Sequence, residues 1–242
     1  MSTSEERLQA NLQAVHERIS LAARVAGRDP ASIRLLAVSK AFGAPLVAAL
    51  ARAGQLSFGE NYVQEALAKM SAVRAQFDAP LEWHFIGPIQ SNKTRAIAES
   101  FDWVQSVDRL KVAQRLSEQR PSALAPLNVL LQVNISGEAS KRGVEPAGLT
   151  ALAAAVALLP RLQLRGLMAI PEPTDSAREQ RAAARHLRQL FDEMRGRGLL
   201  VDTLSIGMSD DLEAAIAEGS TLVRVGTAIF GARPLAAASE PA

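Results

Sequence analysis

The chain has 242 residues, of which 48 % are hydrophobic and 21 % are charged, and its formal net charge at pH 7 is +2. This composition is that of a globular protein, not a disordered or fibrous one, and the nearly balanced charge gives no indication of nucleic-acid binding. The chain has no cysteine, which excludes disulfides and thiolate metal sites, and its three histidines lie far apart, so we expect no metal centre.

The N-terminal sequence lacks the apolar core of a signal peptide. The most apolar stretch, AGLTALAAAVALL between Pro146 and Pro160, is too short to span a bilayer. We therefore expect a cytoplasmic protein that makes no contact with a membrane.

A leading helix is predicted within residues 1–27. Apolar residues recur there every three or four positions and form one stripe, and Gly27 follows the last of them. The stripe consists of Leu8, Leu12, Val15, Ile19, Ala22 and Ala26.

Eight short apolar runs follow, and longer helical stretches separate them. In chain order the runs are RLLAVSK, LSFGEN, WHFIGP, FDWVQSV, LNVLLQVNI, LQLRGLMAIP, DTLSIGMS and LVRVGTAIFG. This alternation is typical of a parallel sheet covered by helices, and eight strands predict a single (β/α)₈ TIM barrel of the α/β class. The predicted domain covers residues 1–233, and residues 234–242 are expected to be a disordered tail. An open doubly wound sheet is the alternative.

The ends of these runs are more polar than their interiors. Barrel enzymes place their chemistry at the C-terminal ends of the strands, where the βα loops converge. The residues at these ends are Lys40, Glu60, Asn61, Gly87, Pro88, Ser106, Asn134, Met168, Ser209, Gly226 and Thr227.

The last two strand ends indicate a phosphate site. We expect Ser209 to cap a helix that begins near Asp210, and a helix start with a hydroxyl binds phosphate well. Gly226 lets the backbone approach a ligand closely, and Thr227 adds a second hydroxyl. An ordinary helix cap is the alternative for Ser209.

Arg224 and Lys40 complete the set of candidate residues. Arg224 lies two residues before Gly226 and so points to the same side of its strand, into the barrel mouth; a buried ion pair is the alternative. Desolvation favours the neutral amine of a lysine, which forms a Schiff base with an aldehyde. An aldehyde with a phosphate and a ring nitrogen that faces an arginine describes pyridoxal 5′-phosphate (PLP). On these residues alone, Schiff-base aldolases remain possible.

Six segments together resemble the pyridoxal phosphate homeostasis protein family. They are AVSK, FGENYVQE, WHFIGPIQSNK, SGEASKRGV, LRGLMAI and LSIGMSDDLEAAIAEGSTLVRVGTAIFG, and they extend from about residue 30 to residue 233. Members are similar in fold to the N-terminal barrel of alanine racemase, the type III PLP fold. They stand as a single domain, so the resemblance implies no C-terminal β domain.

The resemblance also implies a role for each candidate residue. Lys40 would carry the PLP covalently, Asn61 would lie near the ring, Arg224 would face the pyridine nitrogen, and Ser209, Gly226 and Thr227 would hold the phosphate. Phe42 departs from the family pattern, because a second lysine usually stands there, and any role of that lysine in PLP transfer is in doubt in this chain. Lys93 and Lys141 do match, and Lys141 is a candidate for a secondary cofactor site; the alternative for both is an exposed lysine.

We expect a PLP-binding protein that takes part in intracellular PLP homeostasis without robust amino-acid catalysis. An arginine opposite the ring nitrogen cannot keep that nitrogen protonated. Racemisation needs a second base, which in alanine racemase is a tyrosine supplied by a second domain. The only tyrosine here is Tyr62, at the start of a predicted helix, and His84 is interpreted as a core residue. The alternative is a PLP-dependent racemase or decarboxylase. We expect a monomer whose partners are PLP and transiently PLP-accepting apo-enzymes.

Overall fold

The computed structural model describes residues 4–137 and 141–232, and in this part of the chain eight parallel strands form a closed barrel in chain order. The strands are β1 (Arg34–Val38), β2 (Ser57–Glu60), β3 (Glu82–Phe85), β4 (Trp103–Val107), β5 (Leu127–Gln132), β6 (Leu162–Met168), β7 (Thr203–Ser205) and β8 (Leu222–Val225). Seven of them lie within the predicted runs, and β3 begins at Glu82, one residue before its run. Because β1 pairs with both β2 and β8, the barrel is closed, which confirms the (β/α)₈ prediction and excludes an open sheet.

Helices surround the barrel. They are α1 (Ser4–Val25), α2 (Ala44–Arg52), α3 (Val63–Arg74), α4 (Thr94–Ser100), α5 (Leu110–Gln119), α6 (Pro146–Ala157), α7 (Ala177–Gly196), α8 (Leu212–Ala217) and α9 (Thr227–Phe230). Helices α2 to α8 connect successive strands, α1 precedes β1 and α9 follows β8. No helix within the described ranges combines the length and the apolar character that a membrane crossing needs. The predicted tail at residues 234–242 lies outside the described residues.

The leading helix α1 is amphipathic, as predicted. Five of the six predicted stripe residues are buried; the sixth, Ala26, lies beyond the helix end and is half-buried, and Ala23 is buried in addition. Gly27 ends the helix with φ at +66°, and the next amide, that of Arg28, donates to the carbonyl of Ala23 at 2.8 Å. Glycine adopts this left-handed conformation without a steric cost, which is why helices commonly end in this way.

The apolar core lies mainly between the strands and the surrounding helices. A small separate cluster of Trp103, Leu130 and Met168 fills part of the barrel interior. The guanidinium groups of Arg34 and Arg165 each lie 4.8 Å from the centroid of the Trp103 ring. Buried polar side chains lie beside this cluster, where the His84 ring stacks on Trp103 with centroids 5.1 Å apart.

Candidate functional site

The six predicted site residues lie at the C-terminal ends of four consecutive strands of the barrel. Ser209 follows β7, Arg224 lies in β8 and is followed by Gly226 and Thr227, Lys40 follows β1, and Asn61 follows β2. Since β1 is hydrogen-bonded to β8 on one side and to β2 on the other, Lys40 lies between the two groups. The structure therefore brings together residues that the sequence separates by up to 187 positions.

The ends of β1 and β8 approach each other closely. Leu36 pairs with Arg224, and a β carbon on Gly226 would lie 3.2 Å from the carbonyl oxygen of Val38. Any larger residue at position 226 would push the two strand ends apart. Glycine here thus keeps the segment that begins at Thr227 next to the segment that carries Lys40.

Lys40 lies in a tight turn with unusual backbone geometry. The amide of Phe42 donates to the carbonyl of Ser39 at 3.0 Å and closes the turn, and Ala41 has φ at +67°. A left-handed alanine costs roughly 1–2 kcal/mol, so surrounding contacts must hold it. One such contact lies in the turn itself: the amide of Ala41 donates to Oε1 of Glu65 at 2.8 Å.

A group of polar side chains supports this turn. We call it the Lys69 cluster; it consists of Ser39 after β1, Glu60 at the end of β2, and Glu65 and Lys69 on α3. The Lys69 ammonium donates to the carbonyl of Ser39 at 2.7 Å, to Oε1 of Glu60 at 2.6 Å and to Oε1 of Glu65 at 3.0 Å. The Ser39 hydroxyl donates to the same Glu60 oxygen at 2.6 Å. The cluster therefore holds the backbone on both sides of Lys40.

Two of the three charged side chains in this cluster, Glu60 and Lys69, are buried, whereas Glu65 is half-buried. Glu60 is fully buried and Lys69 is only 6 % exposed. Burial raises the pKa of Glu60, and the adjacent Lys69 ammonium and Ser39 hydroxyl counteract part of that rise. Within the described part of the chain, the second carboxylate oxygen of Glu60, Oε2, has no hydrogen-bond partner.

The sequence analysis missed Lys69, although the sequence contains a signal for it. Val63, Ala66, Lys69 and Val73 are the buried residues of α3, and their spacing is that of one helix face. A lysine at an apolar position of a helix needs a buried anionic or carbonyl partner. Glu65, four residues earlier, is one such partner.

Arg224 is buried at the mouth, with 4 % of its surface exposed, and forms no ion pair within the described ranges. One terminal nitrogen donates to the carbonyl and the hydroxyl of Ser205, at 2.8 and 2.7 Å, and the other donates to the carbonyl of Ala169 at 2.9 Å. Two of the five N–H groups of the guanidinium therefore have no acceptor among the described residues. Burial lowers the pKa of Arg224 to about 10, against a smaller opposing effect of Asp211, so the side chain stays charged at neutral pH.

A chain of hydrogen bonds leads from Arg224 through the barrel interior. The Ser205 hydroxyl donates to Oε1 of Gln105 at 2.7 Å, and Nε2 of Gln105 lies 2.8 Å from Nδ1 of His84. The other ring nitrogen of His84 lies 2.7 Å from a carboxylate oxygen of Glu82. Because β4 and β7 are not neighbouring strands, the bond between Gln105 and Ser205 crosses the interior.

Ser209 does not have the helix-capping role that was predicted for it. Helix α8 begins at Leu212 with Asp211 at the cap position, and the Asp211 carboxylate accepts from the amide of Met208 at 2.6 Å. The prediction was wrong because two further turn residues, Asp210 and Asp211, separate Ser209 from the helix. Instead, the Ser209 hydroxyl accepts a long hydrogen bond, 3.4 Å, from the amide of Ala228 and so joins the loops after β7 and β8.

The leading helix supports both of these loops. Arg18 donates to the carbonyl of Ser209 at 2.9 Å and also pairs with Glu213 at 2.9 Å. Asn11 donates to the carbonyl of Ile229 at 2.9 Å. Helix α1 thus fixes the backbone next to two of the three predicted phosphate contacts, which the sequence did not indicate.

Asn61 has an unused acceptor. Its side-chain oxygen Oδ1 is buried and has no hydrogen-bond partner among the described residues. Gly87, after β3, packs so tightly on the Asn61 carbonyl that a β carbon would overlap it. The backbone of Asn61 is therefore held in place while its amide oxygen remains available.

Three further residues that the sequence analysis singled out lie in these loops. Phe42 is 8 % exposed and stacks on Phe230, with the ring centroids 4.7 Å apart, so it packs the Lys40 loop against α9. Lys141 is half-buried and forms an ion pair with Glu172 at 3.0 Å. Lys93 is also half-buried, so neither side chain is exposed, contrary to the alternative interpretation.

Tyr62 and His84 are the two candidates for a second base. Tyr62 is the residue before α3 and is 62 % exposed, and His84 is fully buried, as predicted for a core residue. Within the described ranges, no group of three or more histidine, aspartate or glutamate side chains is placed to hold a metal ion.

The fold and this site correspond to a known class. A family model for the alanine racemase N-terminal domain matches residues 10–234. The chain is thus a barrel of the alanine racemase N-terminal class, with a lysine after the first strand and a buried arginine in the last.

Comparison with individual proteins gives the family. The pyridoxal phosphate homeostasis protein of Pseudomonas aeruginosa PAO1 is 61 % identical over 233 residues, which are 96 % of this chain and 97 % of that protein. The protein of the same name from Escherichia coli K12 is 56 % identical over 223 residues, which are 92 % and 95 % of the two chains. The structure of PipY from Synechococcus elongatus PCC7942 with PLP bound is similar with a TM-score of 0.81 and 35 % identity, covering 93 % of this chain and all of PipY. The chain belongs to the pyridoxal phosphate homeostasis protein family.

Proposed function

We propose that this protein binds PLP at the C-terminal mouth of its barrel, as a single domain over residues 1–233, and takes part in intracellular PLP homeostasis. The observation that carries the proposal is the placement of Lys40 on the strand next to Arg224, a buried cation with unused N–H donors. The PLP bound to PipY and the names of the two bacterial relatives support the same ligand.

Lys40 is the residue we propose to hold PLP covalently. Its amine would add to the aldehyde carbon and water would leave, so that a C=N bond replaces the C=O bond in a Schiff base. The Lys69 cluster and the left-handed Ala41 hold the backbone from which this side chain extends. A fixed backbone lowers the entropy lost when the amine is positioned for reaction.

Arg224 suits a neutral pyridine nitrogen, because a guanidinium has only donors and such a nitrogen has only a lone pair to offer. Bound PLP supplies an electron sink whose strength rises when its ring nitrogen is protonated. With its pKa near 10, Arg224 is a cation at neutral pH and does not provide that proton. This arrangement favours holding the cofactor over stabilising a carbanion.

The loops after β7 and β8 are the proposed phosphate site. Ser209, Gly226 and Thr227 lie on neighbouring strand ends, and the long contact between Ser209 and the amide of Ala228 leaves the hydroxyl able to donate elsewhere. On β2, the unpartnered Oδ1 of Asn61 gives a ligand donor a buried acceptor.

We further propose a carrier and not an amino-acid-converting enzyme. Racemisation needs an acid/base on each face of the substrate. His84 is engaged with Glu82 and Gln105 inside the barrel, and the exposed Tyr62 has no hydrogen bond among the described residues that would position its hydroxyl as a base. A cytoplasmic location, a monomeric state and transfer of PLP to apo-enzymes stay predictions.

The test is the absorption spectrum of the purified protein before and after addition of PLP and after borohydride reduction, followed by peptide mapping. We expect a Schiff-base band that reduction traps on the peptide containing Lys40. Lys40→Ala should lose the band and the label, whereas Lys93→Ala, a matched change in the βα loop after β3, should keep both. A normal band in Lys40→Ala would overturn the proposal.

Turnover distinguishes the proposed carrier from the racemase or decarboxylase alternative. Purified wild-type protein loaded with PLP is incubated with D- and L-amino acids, and products are followed by chiral chromatography. Conversion that Lys40→Ala abolishes would favour the enzyme, and retention of PLP without conversion would favour the carrier.

A further inference from the structure

The hydrogen bonds that lead away from Arg224 involve four side chains that the proposed function does not use. We call Arg224, Ser205, Gln105, His84 and Glu82 the interior chain. Ser205 and His84 are fully buried, and Gln105, which links them, is fully buried as well. The four bonds that connect successive members are 2.7 to 2.8 Å long.

The protons in this chain have one consistent arrangement, and it begins at Glu82. Contacts with His84 and Arg34 hold the pKa of Glu82 at about 2 against the opposing effect of burial, so the carboxylate only accepts. The His84 nitrogen that faces Glu82 must then carry a hydrogen. Burial lowers the pKa of His84, so its other nitrogen is unprotonated and accepts from the Gln105 amide.

The orientation of the remaining members follows from this tautomer. Gln105 directs its NH₂ group to His84 and therefore its oxygen to Ser205, and the Ser205 hydroxyl donates to that oxygen. The lone pairs of the Ser205 hydroxyl are then free to accept from Arg224. Every bond runs in the same direction, from the arginine at the mouth to the carboxylate near the other end of the barrel.

We propose that the interior chain is a positioning device: Gln105 and His84 orient the Ser205 hydroxyl, which fixes the Arg224 guanidinium so that its unused N–H groups face the bound cofactor. This rests on the proposed PLP site. Without the chain, Arg224 would retain only its bonds to the carbonyls of Ser205 and Ala169. A guanidinium held by fewer bonds samples more orientations, so less of its donor capacity reaches the ligand.

The test compares PLP binding by Gln105→Leu and His84→Leu with that of the wild type. Both variants should weaken PLP binding about threefold to tenfold, the effect of one or two hydrogen bonds. Both should also shift the absorption band of the bound cofactor in the same direction as Arg224→Leu does, and a purely structural residue would not do this. His84→Gln offers a donor and an acceptor and should restore the wild-type band.

The matched control is Gln55→Leu. Gln55 is also a buried glutamine, but it donates to the carbonyls of Leu35 and Ser57 and lies outside the interior chain. The Gln55→Leu variant should have a lower free energy of unfolding, with the absorption band of bound PLP unchanged. Ser205→Ala removes a single hydroxyl and gives a second disruption if the leucine variants do not fold.

A measurement without PLP separates this proposal from the function on which it rests. In the apo protein, ¹⁵N NMR of the guanidinium reports rotation of Arg224, which should be restricted in the wild type and faster in Ser205→Ala and Gln105→Leu. A wild type that traps no PLP would overturn the proposed function and the orienting role toward the cofactor. A wild type that traps PLP, with an unchanged band, affinity and Arg224 rotation in folded Gln105→Leu, would overturn the positioning role alone.

Discussion

Replacing Lys69 with methionine tests the cluster that supports the Lys40 turn. The change keeps most of the side-chain volume and removes the ammonium, which donates to Ser39, Glu60 and Glu65. Glu60 would then be a buried carboxylate with one remaining donor, the Ser39 hydroxyl. Removing one partner of a buried ion pair costs about 3–5 kcal/mol of unfolding free energy. We expect Lys69→Met to fall in that range.

The double variant Glu60→Gln/Lys69→Met separates the loss of the pair from the loss of packing. Neutral side chains of similar size often replace a buried pair at little cost, so the double variant should be more stable than Lys69→Met by about 2 kcal/mol or more. Urea unfolding at neutral pH measures both variants by linear extrapolation. Lys111→Met, a change of an exposed lysine on α5, is the control and should stay within about 0.5 kcal/mol of the wild type.

The same variants report on the site. If the cluster holds the Lys40 backbone, borohydride reduction should leave less PLP label on Lys40 in Lys69→Met than in the wild type. The comparison is made at temperatures where both proteins are folded. A cost below about 1 kcal/mol for Lys69→Met, or a double variant no more stable than the single one, would refute the reasoning.

Three further predictions concern single positions. Ala41→Gly should raise the unfolding free energy by about 0.5–1 kcal/mol, because glycine adopts a positive φ without strain; urea unfolding checks this, and an unchanged or lower stability would contradict it. The free energy of unfolding should fall as the pH drops below about 6.5, because the unfolded chain then binds a proton at His84 that the native protein does not bind. The loss is about 1.4 kcal/mol for each pH unit between the unfolded and folded pKa values of His84. The lowered pKa of Glu82 adds a loss from about pH 4.5 down to about 2. Thermal unfolding of His84→Gln across pH should lack the histidine part and show a smaller Glu82 part, because His84 is one of the contacts that lower the pKa of Glu82. Ser209→Ala and Thr227→Ala should each weaken PLP retention in dialysis while borohydride still labels Lys40; undiminished retention would remove these hydroxyls from the phosphate site.

The sequence determined the architecture of this protein and the positions of the candidate residues along the strands. Each predicted apolar run coincides with a strand, with β3 beginning one residue early, and the spacing of apolar residues in the leading helix matches its buried face. These features are local, because the period of burial along a helix or strand depends on residues close together in the chain. Polar residues at strand ends, such as Lys40 and Asn61, could be located for the same reason.

The local pattern could not give the exact beginning of a short helix. Ser209 has the residue type of a helix cap, but the turn that follows it delays α8 to Leu212. Cap preferences are weak compared with tertiary contacts, and here the loop is held by Arg18 of α1 and by the amide of Ala228.

The partners of buried polar side chains were decided only by the tertiary structure. The alternation of a strand indicates that Gln105 and Ser205 face the interior, but their contact joins residues 100 positions apart on strands that are not neighbours. Lys69 likewise meets Glu60 only because α3 packs on β2. Closure of the barrel sets these distances, and a periodic pattern specifies which face a side chain occupies but not which residue it meets there.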